Sequence, residues 1–156
     1  MSQIVLITVQ NKAGVLNKIT SLCRRRKYNI DSLTVGKTEN IDISHITMVF
    51  AEDKEKINQI INQIDNLIEV IDIEVVESRN VVDKELVLLI IKKNASNRIA
   101  KITDRTNADL KIINNFDRKQ VIQIVGEGVE IENIIEKINK KDIIRIVRSG
   151  LVVVKI

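Results

Sequence analysis

The stretch NKAGVL, Asn11 to Leu16, follows the apolar run IVLITV and opens a helical pattern. Val15, Leu16, Ile19, Leu22 and Cys23 recur at the three- and four-residue intervals of an amphipathic helix. Gly14, one of only five glycines, stands where that helix begins. The first amides of a helix have no partner inside it, and with the helix dipole they attract an anion. A glycine there lets a ligand approach the backbone closely, and a carboxylate is one anion of the right kind. Asn11 adds an amide that can donate and accept. The same residues also suit a plain tight turn in which Gly14 merely takes an unusual φ.

The other residue types give no support for catalysis. His45 is the only histidine, and it lies in the alternating strand pattern SHITMVF with no acid pair or nucleophile motif beside it. With one cysteine and one histidine there is no Cys/His metal cluster, and no phosphate loop of the GxxxxGK[ST] kind occurs. We therefore expect neither catalytic nor metal-binding residues. GEG at 126–128 reads as a strand-to-helix turn, with Glu127 near the positive end of the helix. RRRK at 24–27 ends the first helical pattern, where cations favour the dipole. It also invites a nucleic-acid reading, but sheets that read RNA stack bases on aromatics, and Tyr28, Phe50 and Phe116 are all this chain has. Cys23, in an apolar pattern, reads as a small core residue and fits a reducing, cytoplasmic setting. The longest apolar run, LVLLII, is far shorter than the roughly 20 residues that span a bilayer. The first residues carry no secretory-signal pattern.

One arrangement of elements, used twice, holds these residues. The chain has 156 residues, enough for two small domains. Residues 3–9, 30–38, 44–51 and 68–77 read as strands, with helices over 14–26 and along the stripe Ile57, Ile60, Ile61, Ile64. The second half repeats the order β-α-β-β-α-β. Its strands are 85–92, 109–116 and 120–126, and it has a weak helix over 95–106 and a second stripe at Ile131, Ile134, Ile135 and Ile138. The closing extended segment is broken at Ser149–Gly150. The fold class is thus α+β, with two ferredoxin-like βαββαβ domains over 1–78 and 79–156, joined near SRNVVDK (78–84). Such sheets leave unpaired edges, so a homodimer joined through the first domains is expected. Charge is uneven: nine Lys and Arg against eleven Asp and Glu in residues 1–78, a net of −2, and sixteen against ten in 79–156, a net of +6. A basic half of this kind suits an acidic protein surface or a nucleic acid.

NKAGVLNKI, followed by YNIDSLTVGKTE (28–39) and SHITMVF, resembles the small, regulatory subunit of acetolactate synthase, also called acetohydroxyacid synthase. RSGLVVV is similar to that family's closing strand. The resemblance runs over nearly the whole chain and is densest over residues 4–50. It implies that the first domain is an ACT domain, an amino-acid-binding module, and that valine lies between two such domains of a dimer. Asn11, Ala13, Gly14, Val15 and Leu16 of one subunit would then face Asn29 and Ile30 of the other. It further implies a non-catalytic subunit that activates a large catalytic subunit and confers feedback inhibition by branched-chain amino acids. Thiamine diphosphate, magnesium and FAD would belong to that partner, with no cofactor on this chain, no nucleic acid and no membrane. A stand-alone ACT-type amino-acid sensor controlling another enzyme is the alternative. Where the family commonly has a glycine before YNI, this chain has Lys27, so the first helix is expected to end without a left-handed glycine.

Overall fold

Alternation along the strands sorts the side chains to two faces of a sheet. In the computed structural model, which describes residues 3–77, 80–93, 99, 102 and 106–156, this produces two compact units. They are Met1–Val82 with Val153–Ile156, and Asp83–Val152.

In the first unit β1 (Gln3–Gln10), β2 (Ser32–Lys37), β3 (Ile43–Phe50) and β4 (Val70–Val76) form an antiparallel sheet in the order β2-β3-β1-β4. Helix α1 (Val15–Arg25) connects β1 to β2, and α2 (Lys54–Asp65) connects β3 to β4. Val5 pairs with Met48 and Ile7 with Ile46, which puts all four on the same face. Val15, Ile19, Leu22 and Cys23 of α1 and Ile57, Ile60 and Ile64 of α2 close over them as one buried core. Each such aliphatic side chain contributes about 1.5–3 kcal/mol on burial.

Helix α1 ends on a left-handed residue that is not glycine. Lys27 has φ 59°. Its N–H donates to Arg24 O and the Tyr28 N–H to Cys23 O, both at 3.0 Å. Those two bonds form a Schellman motif and satisfy the last carbonyls of the helix. The expectation that the helix ends without a left-handed glycine holds, but the left-handed turn itself is kept, at a torsional cost of about 1–2 kcal/mol for a residue with a Cβ.

The second unit holds β6 (Asp109–Asn115), β7 (Lys119–Gly126), most of β5 (Val81–Lys92) and β8 (Ile143–Arg148), in the order β6-β7-β5-β8, with β9 (Val152–Lys155) also paired to β5. Val87, Leu89, Ile91, Ile122 and Ile124 form its core with Ile131 and Ile134 of α3 (Gly128–Lys137). The helix expected over 95–106 lies largely outside the described residues; Ile99 is buried in this core and Ile102 packs against it. β5 begins at Val81, so most of the segment expected as a linker over 78–84 is strand. β9 pairs with β5, and just beyond the two strands the Ile156 N–H donates to Asn80 O at 3.2 Å. Residues Val153–Ile156 accordingly group with the first unit, and Lys155 forms an ion pair with Glu74 of β4.

RSG, at the end of β8, builds an ionic lock. Arg148 meets the carboxylate of Glu85 through two bonds, Nε to Oε1 at 2.9 Å and Nη2 to Oε2 at 2.6 Å, and reaches Glu132 through Nη1. The Gly150 N–H donates to Glu85 Oε1 at 3.2 Å. The two carboxylates hold the Arg148 guanidinium well above its ordinary pKa. The Glu85 side chain is only 3% exposed, so it depends on this pairing.

Two stability changes follow. Lys27→Gly relieves the left-handed strain but loosens the unfolded chain, leaving a gain of about 0.5–1 kcal/mol; the thermal midpoint rises, and an unchanged or lower one contradicts the strain. Arg148→Leu strands a buried carboxylate and costs about 2 kcal/mol or more in chemical denaturation, while a loss within about 0.5 kcal/mol contradicts the lock.

Candidate functional site

The β1–α1 turn is held from behind. The Asn11 N–H donates to Asp42 O at 2.7 Å and its side-chain Nδ2 to Ile41 O at 2.9 Å. Asn11 therefore ties the β2–β3 loop to the turn. One amide hydrogen is spent on that bond, and the second Nδ2 hydrogen and Oδ1 remain as donor and acceptor.

Gly14 occupies the N-cap position of α1 in the left-handed region, φ 89° and ψ −11°. No atom lies within 4 Å of where a Cβ would stand. The glycine answers a torsional need, and the space on that side is open. No side chain caps the helix and no acidic residue occupies its first turn. The Val15 N–H bonds only weakly, to Lys12 O at 3.3 Å, and the next helical bond recorded is from Lys18 N–H to Gly14 O at 3.0 Å. The Leu16 and Asn17 amides have no partner among the described residues. The other described helices differ. α2 starts on Asp53, whose side chain makes no cap bond, but it has this carboxylate and that of Glu55 at its first turn. α3 has a Glu127–Glu130 capping box, and its Gly128 N–H donates to Asp83 Oδ2 at 2.8 Å. GEG is thus a strand-to-helix turn supplied with carboxylates from the chain itself.

The remaining expected site residues stand at the other end of α1. Asn29 and Ile30 follow the Lys27 turn, and Asn29 Nδ2 donates to Asp31 Oδ1 at 3.0 Å. They edge an open depression of about 440 Å³ bounded by Thr20, Cys23 and Arg24 of α1 and by Lys27–Ile30. Strand register places this end. Ser32 is level with Val49, which is level with Ile4; Lys37 is level with Ser44, which is level with Val9. Asn29 therefore belongs to the Ile4 end of β1 and Gly14 to the Gln10 end. The eleven residues of α1 separate the two groups by about 16 Å within one chain.

Of the residues expected to face a ligand, Asn11, Ala13, Gly14 and Leu16 are exposed at the turn and Asn29 is exposed at the opposite end. Ile30 is partly buried against the core. Val15 is 3% exposed and belongs to the core, so it can offer only its backbone. Burial pushes the Cys23 thiol up, away from nucleophilic use. Arg26 of RRRK reaches Gln63 of α2, whose amide oxygen, with the amide turned over, accepts from Nε and Nη2 at 3.3 and 2.9 Å. His45 accepts or donates at Thr8 Oγ1, 3.0 Å away. Asp31 was not singled out by the sequence, although it sits inside the YNIDSL motif.

Comparison with known proteins identifies the family of the chain. The family model described as an AHAS small subunit-like ACT domain matches residues 5–72. The acetolactate synthase small subunit of Bacillus subtilis is 34% identical over 153 residues, covering 96% of this chain and 88% of that protein. A probable acetolactate synthase small subunit of Archaeoglobus fulgidus is 34% identical over 154 residues, covering 97% and 95%. The crystal structure of the small subunit from Thermotoga maritima superposes with a TM-score of 0.84 at 28% identity, covering 100% of this chain and 98% of that one. Two antiparallel ferredoxin-like sheets with helices between their strands, the first of them an ACT domain, and nearly full-length similarity to these proteins lead to one assignment: this chain belongs to the acetolactate synthase small-subunit family.

Proposed function

We propose that this chain is a non-catalytic regulatory subunit that activates a large acetolactate synthase subunit and makes it sensitive to valine. The observation that carries the amino-acid site is the bare N-terminus of α1, where Gly14 is left-handed and uncapped while α2 and α3 carry their own carboxylates. A bound amino acid supplies the missing carboxylate to the Gly14–Leu16 amides. Its aliphatic side chain lies against exposed apolar surface such as Leu16 and Val35.

The site is completed by a second copy. β2 is an edge strand whose last three residues are exposed. Two-fold pairing along that edge runs the strands in opposite directions, which sets the Gly14 end of one chain beside the Asn29 end of the other. A ligand held by both chains favours one dimer arrangement over another, and that differential affinity is the means of regulation. Thiamine diphosphate, magnesium and FAD are assigned to the catalytic partner, and the basic character of the second half suits contact with it.

Valine at about 100 times its dissociation constant should stabilise the folded chain by about 2.7 kcal/mol. The expected result is a thermal midpoint that rises with valine and stays put with lysine or glutamate; a flat response to millimolar valine contradicts the site. Gly14→Asp places a negative charge where the carboxylate binds, and Asn29→Ala removes the opposite wall. Both should abolish the valine response and keep activation of the large subunit in a reconstituted acetolactate assay. Undiminished valine inhibition in both variants places the site elsewhere.

A further inference from the structure

A zwitterionic effector poses a second problem, that of its ammonium group. The Asn29 end of α1 is strongly basic in sequence. Between Arg24 and Ser32 there are four cations, Arg24, Arg25, Arg26 and Lys27, and one acid, Asp31. Arg24 and Lys27 line the same depression as Asn29. An ammonium group entering here meets net repulsion unless a carboxylate faces it.

Asp31, next in sequence to Ile30 at the edge of that depression, is the acid of this stretch that can do this. Its own N–H donates to Val49 O at 2.9 Å, which pins its backbone at the start of β2. Its side chain is exposed, and its Oδ1 accepts from Asn29 Nδ2 at 3.0 Å. That bond orients the amide: the nitrogen is turned toward Asp31, and Asn29 presents Oδ1 as an acceptor. The carboxylate keeps a second oxygen with further lone pairs. Two acceptors, one of them charged, thus stand side by side, and charge-assisted hydrogen bonds are the strong ones.

Resting on the two-copy amino-acid site described above, we propose that Asp31 is the residue that recognises the effector's ammonium group and restricts the site to α-amino acids. The Gly14 turn binds a carboxylate of any kind. Asp31, with Asn29 oriented by it, rejects branched carboxylates that lack the amino group.

Titration calorimetry of the full chain with L-valine and with 3-methylbutanoate, the same skeleton without the amino group, separates the two roles. Wild type should prefer valine by about tenfold or more. Asp31→Asn keeps an acceptor for Asn29 Nδ2 and removes only the charge; valine binding should weaken about tenfold or more while 3-methylbutanoate binding is unchanged or tighter. Asp31→Glu, which restores the charge, should restore the preference for valine. Wild-type affinity for valine in Asp31→Asn overturns the role of Asp31 and leaves the amino-acid site standing. Equal loss of both ligands shows a merely structural residue and overturns it as well. Failure of wild type to bind either molecule removes the underlying site, and the proposal with it.

Discussion

A helix of eleven residues is a rigid spacer about 16 Å long, far more than a small amino acid can bridge. α1 therefore fixes the distance between the two polar groups that flank it. Gly14 and its free amides stand at one end, and Asn29 with Asp31 at the other. No single chain closes both around one small ligand. The β1–α1–β2 connection sets this spacing and also leaves β2 at the sheet edge, so the feature that separates the half-sites also exposes the edge along which a second copy can pair.

The treatment of helix N-termini gives the reading its physical content. Backbone amides at a helix start are satisfied by something, and here the donors of α3 are met by Glu127, Glu130 and Asp83 from within the chain. α1 has an open glycine in their place, with nothing within 4 Å of its missing Cβ. A left-handed glycine alone would be explained by the turn. An uncapped first turn without acidic residues, beside a loop tied to it by the Asn11 bond to Ile41, is what the proposed ligand, bringing its own charge, would complete.

Much of this was legible in the sequence because periodicity follows burial directly. The stripes of α2 and α3, the alternation of β1 and the special status of Gly14 were all readable. Most of what was not readable depends on contacts distant in sequence. β5 starts at Val81 because β9, from the other end of the chain, offers it a partner. Glu85 looks like an ordinary strand residue until Arg148, 63 positions away, meets it. Asn11 looks like a free amide, yet one of its two donor hydrogens is spent on a carbonyl 30 residues on. Lys27 has no left-handed preference of its own; the two Schellman bonds to Arg24 and Cys23 impose it.

The central claim is that each amino-acid site is shared between two chains, and subunit mixing tests it directly. Gly14→Asp and Asn29→Ala each damage both sites of a homodimer. A dimer containing one chain of each has one site carrying both lesions and one site carrying neither. Co-expressing the two variants and measuring valine bound per chain should therefore recover about a quarter of the wild-type capacity for random two-fold assembly, though neither variant binds alone. Recovery of no valine binding from a sample shown to contain mixed dimers would contradict the shared site.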